Sequence, residues 1–442
     1  MSVASRSVVW LAGICLLGGI NSQVHGDDWP QWGGPQRDCA WRETGIVRKL
    51  PEGLLPRVWS TPLGEGYAGP AVANGRVFIT DFLDRQTANN KERIQCLDAE
   101  TGEVKWSHSH PVRYDISYPA GPRATPVVDG YLVYTIGATG QMFCFEVETG
   151  KIVWQKDFQK EYQTTLPTWG MSASPLVIDN QLITLVGGAK GATVVSFNKA
   201  TGKEIWRAIN DPQIGYCPPM LYEFDGMQHL IIWHPDAVTG LNPRTGEQMW
   251  EVPFPIQAGL CIPTPQKVGN RLFLTAFYNG PMMLDFSQGL KPKVVWKGTS
   301  DSEIKTDGLH SIMSTPLFTD SHIFGVCSHG QLRCLDAKTG KRQWETFDAT
   351  GHGRWWNAFL IPNGDKVFLH NEQGDLIIAD LTATGYKEIS RAKLIEPTRP
   401  VQRRMTIWSH PAFAMKSVFA RNDKEIIRVN LAETKYTSRG EE

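Results

Sequence analysis

The sequence predicts an all-β protein, a single eight-bladed β-propeller built from four-stranded antiparallel blades. Three observations support this prediction. A Thr-Gly-x-x-x-Trp segment recurs every 44 to 52 residues, a proline opens almost every repeat, and one strand-like segment near the N-terminus has no repeat in front of it. Repeats of this length, with turn signals between short apolar runs, are typical of propeller blades.

The recurring segment is clearest in Cys-Leu-Asp-Ala-Glu-Thr-Gly-Glu-Val-Lys-Trp106. Its glycine permits the positive φ of a tight hairpin turn, and the Asp or Asn four residues earlier can accept hydrogen bonds from the turn amides. We expect the tryptophan to cover the seam between neighbouring blades. A weaker copy at Thr384-Gly385 has Ile389 in place of Trp. The other copies end at Trp154, Trp206, Trp250, Trp296 (degenerate) and Trp344.

Eight units can be counted from their first strands. Seven are opened by a proline, and the seventh in order starts instead with Ala358-Phe359. The last unit, from Trp408 to about Leu431, has only three strands, whereas Arg57-Val-Trp59-Ser-Thr resembles an outer strand without a repeat. We therefore expect this N-terminal strand to complete the last blade and close the ring, which leaves no open sheet edge. Seven blades with a stray tail is the alternative.

The N-terminus is typical of an export signal. Arg6 precedes the apolar stretch Val8–Ile20, and Val24-His25-Gly26 offers a small-residue cleavage site. The stretch is shorter than the roughly 20 residues that span a bilayer, so we expect cleavage, with an uncleaved anchor as the alternative. The predicted regions are a signal peptide (1–26), a leader (27–55), the propeller (56–435) and a polar tail (436–442). The expected product is a periplasmic or secreted monomer.

Charge and cysteine content restrict the possible partners. Lys+Arg and Asp+Glu both number 45, so the zero net charge gives no electrostatic argument for nucleic acid or an anionic membrane. We see no transmembrane segment after the signal. Cys96, Cys144 and Cys334 share one position in three repeats, where a buried strand residue is expected. Whether Cys217 and Cys261, at nearly matching positions, form a disulfide stays open.

The repeat resembles the tryptophan-docking motif Ala-x-Asp-x-x-Thr-Gly-x-x-x-Trp of propellers related to quinoproteins, which bind pyrroloquinoline quinone (PQQ). The resemblance covers roughly residues 55–435. That family includes quinone-dependent alcohol dehydrogenases and the non-catalytic propeller subunit of the outer-membrane barrel-assembly machine. The leader from Asp28 to Pro35 is similar to that of exported planctomycete-type propellers. The family's enzymes hold PQQ between a Trp and a disulfide of adjacent cysteines, often with Ca²⁺, but this chain has no Cys-Cys pair.

Candidate ligand-binding residues lie at the start of the first strands, whose leading loops should converge on one face of the ring. Bulky and polar side chains three residues before each opening proline, with small residues one position later, describe a funnel with a lined mouth. Its aromatic and cationic groups suit a planar or anionic ligand. No metal site or catalytic residue is predicted. The candidates are Tyr67, Arg123, Trp169, Tyr216, His310, Arg354, Trp355, Trp356, Arg404 and Trp408.

Two functions are consistent with these features, because a fold alone does not decide function. The first is a non-catalytic scaffold that binds an envelope protein or a small ligand, with no confidently assigned cofactor. The alternative is a PQQ-dependent alcohol or sugar dehydrogenase, in which Trp and Arg of the funnel hold the quinone with Ca²⁺. In a third interpretation the same side chains only fill the channel, and His310 is a hydrogen-bonded structural residue.

Overall fold

A computed structural model of the protein describes residues 27–84, 89–211 and 213–437. The predicted signal peptide (1–26) lies outside these residues and stays a prediction. The described strands form eight four-stranded antiparallel sheets, each made of strands that are consecutive in the chain except for the last. The predicted all-β, eight-bladed architecture is confirmed. Within the described part of the chain, no helix is both long and apolar enough to cross a membrane.

The blades follow one another in chain order, and each runs from an inner strand at the axis to an outer strand. Strand β1 (Arg57–Pro62) precedes the first complete blade. Blade 1 contains β2 (Ala71–Ala73), β3 (Arg76–Leu83), β4 (Lys91–Asp98) and β5 (Val104–Pro111), and blade 2 contains β6 (Val127–Asp129), β7 (Leu132–Ile136), β8 (Gln141–Glu146) and β9 (Ile152–Asp157). Blade 3 contains β10 (Leu176–Ile178), β11 (Gln181–Gly188), β12 (Ala192–Asn198) and β13 (Glu204–Ala208), and blade 4 contains β14 (Met220–Phe224), β15 (Met227–Trp233), β16 (Ala237–Leu241) and β17 (Gln248–Pro253).

The second half of the ring repeats the pattern, with a two-stranded hairpin inserted before the last blade. Helix α1 (Phe158–Tyr162), a 3₁₀ turn (Gln257–Gly259) and helix α2 (Thr434–Thr437) lie outside the sheets. Blade 5 contains β18 (Gln266–Val268), β19 (Arg271–Ala276), β20 (Gly280–Asp285) and β21 (Lys293–Lys297), and blade 6 contains β22 (Leu317–Phe318), β23 (His322–Val326), β24 (Leu332–Asp336) and β25 (Arg342–Thr346). Blade 7 contains β26 (Ala358–Asn363), β27 (Lys366–Asn371), β28 (Asp375–Thr382) and β29 (Gly385–Lys393), and the hairpin that follows it contains β30 (Arg399–Val401) and β31 (Arg404–Thr406). Blade 8 contains β32 (Ala412–Ala414), β33 (Ser417–Arg421) and β34 (Glu425–Asn430), together with β1.

The ring closes through strand β1, as the sequence predicts. Blade 8 has the strand order β1-β34-β33-β32, so its outer strand comes from the N-terminal end of the chain. Thr61 pairs with Ile426 and Trp59 with Arg428 in an antiparallel ladder. Backbone hydrogen bonds between the two ends of the propeller thus replace an open sheet edge.

The repeated tryptophan docks on the Thr-Gly turn of the next blade. The Trp154 ring lies against Gly202, where a Cβ would come within 2.8 Å of ring atoms and where φ is +68°. Its indole Nε1 donates to the Lys199 carbonyl at 2.9 Å. Cys144 pairs directly with Trp154, which explains the small buried residue at that position. Equivalent contacts join Trp59 to Gly102, Trp106 to Gly150, Trp206 to Gly246 and Trp296 to Gly340.

Two copies of the motif depart from this arrangement. The Trp250 indole donates to His229 Nδ1 at 2.8 Å and packs edge-on against Phe286, because the next blade has no Thr-Gly turn. Trp344 donates to the Thr382 carbonyl at 2.8 Å, but it stays half-buried, and a Cβ at Gly385 would meet no atom within 4 Å. Trp344 therefore keeps the hydrogen bond to the next blade and loses the close glycine contact, whereas Trp250 bonds to His229 of its own blade instead.

The leader contacts the inner strands around most of the ring. Trp29 exchanges two backbone hydrogen bonds with Val72 of blade 1, and Pro30 accepts one from Val128 of blade 2. Farther along, the leader bonds to blade 3 at Pro175, blade 4 at Pro219, blade 5 at Thr264, blade 7 at Pro362 and blade 8 at Lys416. The predicted leader, residues 27–55, therefore packs across the axis.

The cysteines of the described residues are all free thiols, including Cys217 and Cys261. Both are buried, and each Sγ contacts backbone carbonyl groups, for Cys217 those of Pro218 and Pro263. Cys96, Cys144 and Cys334 are fully buried in strands, as the shared position predicts. The buried cysteines are therefore packed core residues.

Removal of residues 27–62 should destabilise the ring strongly, because it takes away β1 and the packed leader and exposes the edge of β34. Thermal unfolding followed by circular dichroism measures this effect. Tyr131→Asp, at an exposed hairpin position, is the control and should leave the melting temperature unchanged. An unchanged melting temperature after the deletion would show that closure through β1 is wrong.

Trp154→Ala should lower the free energy of unfolding by about 3–5 kcal/mol, since it removes a buried ring and its hydrogen bond. Trp344→Ala should cost clearly less, because Trp344 is half-buried and its turn offers no close glycine contact. Urea unfolding of both variants provides the comparison. Equal losses would contradict the assignment of ring packing against glycine as the source of the larger effect.

Candidate functional site

The loops that lead into the inner strands surround a cavity on the axis, which we call the cup. Its volume is about 370 Å³, and it opens on one face of the ring. Cavities of this size are typical of small-molecule sites. Seven of the ten predicted residues line it: Tyr67, Arg123, Trp169, Tyr216, Arg354, Trp355 and Trp408. The structure thus brings most of the predicted funnel together, while its role in binding stays a prediction.

The other three predicted residues lie behind the cup wall. His310 is buried, with Nδ1 3.2 Å from the Phe277 carbonyl and Nε2 3.2 Å from the Asp307 carboxylate, and burial lowers its pKa. Trp356 packs with Arg404, whose guanidinium carbon lies 5.1 Å from the Trp356 ring centroid. These side chains support the loops of the wall and do not line the cavity.

The structure adds residues that the sequence analysis missed. Phe359 and His410 flank the starts of inner strands, so the repeat alignment could have identified them. Tyr118, Phe277 and Tyr278 lie in loops that follow no periodic pattern, and Trp32 belongs to the leader. No sequence signal links these four to the axis. The added lining residues with rings are Trp32, Tyr118, Phe277, Tyr278, Phe359 and His410.

The floor of the cup is formed by Trp32, Phe359 and His410. Trp32 and His410 meet edge to face with ring centroids 4.4 Å apart, and the Trp32 indole donates to Thr264 Oγ1 at 2.9 Å. His410 Nε2 lies 2.6 Å from Thr125 Oγ1, and burial lowers the pKa of this imidazole to about 4. The leader therefore closes the axial channel at the end opposite the mouth, so the cup is a blind cavity with one opening.

One wall of the cup is an aromatic cluster. The ring centroids of Tyr118, Trp355 and Trp408 lie 6.0 to 6.3 Å from one another, and Tyr67 stacks on Trp408 at 6.4 Å. Tyr118 and Trp355 have φ values of +53° and +69°, and the lining residue Ala258 has +56°. Such left-handed conformations cost of order 1–3 kcal/mol in non-glycine residues and are frequent at binding sites.

The carboxylates nearest the cup are already engaged. Glu303 binds Arg354 Nε at 2.6 Å, and the buried Glu372 binds Arg404 Nε at 2.5 Å. Glu372 also accepts a hydrogen bond from the Trp408 indole at 3.0 Å. Burial raises the pKa of Glu372. Glu372, which sequence reasoning missed, therefore positions a wall residue of the cup.

The residues around the cup do not fit a calcium-bound quinone. Ca²⁺ needs six to eight oxygen ligands. In the described ranges no group of three or more His, Cys, Asp or Glu is arranged to hold a metal ion, and the two nearby carboxylates are bound to arginines. The adjacent cysteines of the enzymes resembled are also missing from the sequence.

Acid should destabilise the protein in part through His410. Its folded pKa of about 4 lies below the unfolded value of about 6.5, so the unfolded chain binds the proton first as pH falls. The contribution of the neutral His410 to the free energy of unfolding is therefore fully present above pH 6.5 and is lost as pH falls toward 4. By pH 5 this contribution has fallen by about 2 kcal/mol. In His410→Gln, the loss of unfolding free energy between pH 7 and pH 5, measured with urea, should be smaller by this amount. Exposed His352→Gln is the control, and an unchanged pH dependence in His410→Gln would contradict the assignment.

Comparisons with known proteins agree with this architecture. The family described as "Outer membrane protein assembly factor BamB" matches residues 90–255 and 234–439. BamB of Burkholderia pseudomallei is 25% identical over 274 residues, which are 59% of this chain and 63% of that protein. The dehydrogenase subunit of the quinone alcohol dehydrogenase of Gluconobacter oxydans is 25% identical over 203 residues, 42% of this chain and 25% of that protein. The chain thus spans less than two thirds of each of these two relatives.

Solved structures show the same fold at low identity. BamB from Moraxella catarrhalis has a TM-score of 0.58 and 14% identity, over 85% of this chain and 99% of that chain. Quinohemoprotein alcohol dehydrogenase from Comamonas testosteroni has a TM-score of 0.64 and 12% identity, over 92% of this chain and 80% of that chain. Because the family match spans most of the sequence, the chain belongs to the PQQ-like propeller family described as outer membrane protein assembly factor BamB.

Proposed function

We propose that this protein is an exported, non-catalytic binding scaffold that uses the cup and the loops around its mouth. The observation that supports the proposal most strongly is the blind cup itself. Seven predicted aromatic and cationic residues meet there around about 370 Å³ of space, and the leader closes the far end. A cavity of this kind can hold a small ligand or a side chain of a partner.

The chemistry of the nearest titratable groups supports a binding role. Proton transfer needs a group that is free to reach the substrate with a pKa near the working pH. Glu303 and Glu372 are committed to arginines, and His410 is a buried neutral imidazole held by Thr125. These titratable groups thus hold one another and the side chains of the cup wall in position.

Exposed apolar residues at the rim of the mouth are a second argument for a protein partner. Ile304 and Met405 are exposed, and each follows a residue that is bonded to Arg354 of the cup wall. Tyr118, also at the rim, is 38% exposed. Exposed apolar side chains around a concave site are frequent at interaction surfaces. Since the BamB relatives are named for outer-membrane assembly, we propose an envelope protein as the partner and the periplasm as the location.

Retention of an envelope protein should depend on the rim. We expect immobilised mature protein (residues 27–442) to retain a partner from envelope extracts, and Ile304→Asp or Met405→Asp to reduce the amount at least about tenfold by placing a charge in an apolar contact. Tyr131→Asp is the matched control, because Tyr131 is exposed in the hairpin between β6 and β7, away from the mouth. Quantitative mass spectrometry measures the retained protein.

Two outcomes would contradict the scaffold proposal. The first is retention in the rim variants that equals retention by the unmodified protein. The second is turnover: dye reduction by the mature protein with alcohols, PQQ and Ca²⁺ would favour the quinoprotein dehydrogenase alternative. We expect no dye reduction, because no Asp or Glu of the described residues lines the cup to hold Ca²⁺ or to act as base.

A further inference from the structure

The arginines around the cup are not all neutralised. Arg123 lines the cup and donates to the carbonyls of Gly121, Ser117 and Tyr118 at 2.5, 3.0 and 2.7 Å. Among the described residues it takes part in no ion pair. Desolvation by burial lowers the pKa of Arg123, and the nearby Tyr67, Tyr114 and Glu92 offset this effect only in part.

A second such guanidinium lies under the floor. Arg37 of the leader is 4% exposed and donates to the carbonyls of Pro175, Ser174 and Pro219 at 2.8, 3.3 and 3.2 Å. Burial lowers its pKa to about 10. No ion pair within the described ranges involves Arg37. Both cations therefore contribute a positive potential to the same small cavity.

The charges of the other arginines near the cup are neutralised, fully or in part, by carboxylates. Arg354 is paired with Glu303, so its charge is neutralised. Arg399 packs on the face of Tyr67 at 3.8 Å from the ring centroid and pairs with Asp423, which Arg421 also approaches at 4.0 Å. One carboxylate thus serves two guanidinium groups. The Arg123 side of the cup is consequently the more positive side.

The opposite side of the cup is mainly apolar, and Arg354, which lies over Phe277 there, is paired with Glu303. Arg123 and Tyr67 come from the loops before blades 2 and 1, and the guanidinium carbon of Arg123 lies 4.9 Å from the Tyr67 ring centroid. Across the axis, the loops before blades 5 and 6 contribute Ile262 and Ile312 to the lining, and the loop between β19 and β20 of blade 5 contributes Phe277. A ligand in the cup therefore meets a cation on one side and hydrocarbon on the other.

We propose that the cup binds a small apolar monoanion, with its carboxylate at Arg123 and an aromatic or aliphatic body against Ile262, Phe277 and Ile312. The inference rests on the proposed binding function of the cup and names its ligand class. A single anionic group fits, because Arg123 is the one lining guanidinium without a carboxylate partner among the described residues. Partial burial strengthens the attraction between the two charges relative to water.

Three naphthalene ligands of one shape test the proposal on the mature protein: 2-naphthoate, neutral 2-naphthalenemethanol and cationic 2-naphthylmethylamine. We expect 2-naphthoate to bind about 10- to 100-fold more tightly than the alcohol, and the amine to bind most weakly. Arg123→Gln should remove the preference, Arg123→Lys should keep most of it, and exposed Lys305→Gln is the matched control. Isothermal titration calorimetry gives each Kd, with thermal melting as the folding check.

The failures are distinguishable. Equal binding of naphthoate and the alcohol, or an undiminished preference in Arg123→Gln, would overturn the charge selectivity while the cup stays a binding site. No binding of any of the three at about 1 mM would overturn both this inference and the small-ligand part of the proposed function. Should Arg123→Gln fail to fold, the three ligands on the unmodified protein still decide.

Discussion

The structure depends on one repeated contact, a tryptophan ring laid on the glycine of the next blade's turn. At Gly202 any side chain would collide with the Trp154 ring, so the positive φ and the missing Cβ are both needed. The indole hydrogen bond to the turn carbonyl then fixes the ring's direction. Among the described residues the contact recurs at five of the eight seams between blades, where it sets the distance from one blade to the next.

The N-terminal segment completes the molecule in two places. Strand β1 supplies the outer strand of blade 8, and the leader in front of it crosses the axis. Trp32 closes the floor of the cup, and Arg37 spans inner strands of blades 3 and 4 through backbone carbonyls. A central channel, which a propeller would otherwise leave open, becomes a blind cavity with one mouth.

Much of this could be predicted from the sequence, because a repeat fixes the register of each copy. The blade count, the closure and seven cup residues followed from the positions of Gly, Trp and Pro relative to one another. The rest depends on contacts between distant segments that no spacing encodes. Trp32 reaches the floor of the cup from the leader. Glu372 of blade 7 accepts a hydrogen bond from Trp408, which precedes blade 8. The His310 side chain contacts Asp307 and does not line the cup. The weaker docking of Trp344 likewise depends on how the Gly385 turn is built.

We infer that the protein binds its ligand in the blind cup on the axis. Photolabelling with 4-azidobenzoate, an aromatic monoanion, followed by peptide mapping by mass spectrometry tests it most directly. We expect a label on cup-lining peptides, such as those containing Trp408 or Ile312, and loss of that label when 2-naphthoate competes. A label scattered over the outer strands and unaffected by the competitor would show that the ligand does not bind in the cup.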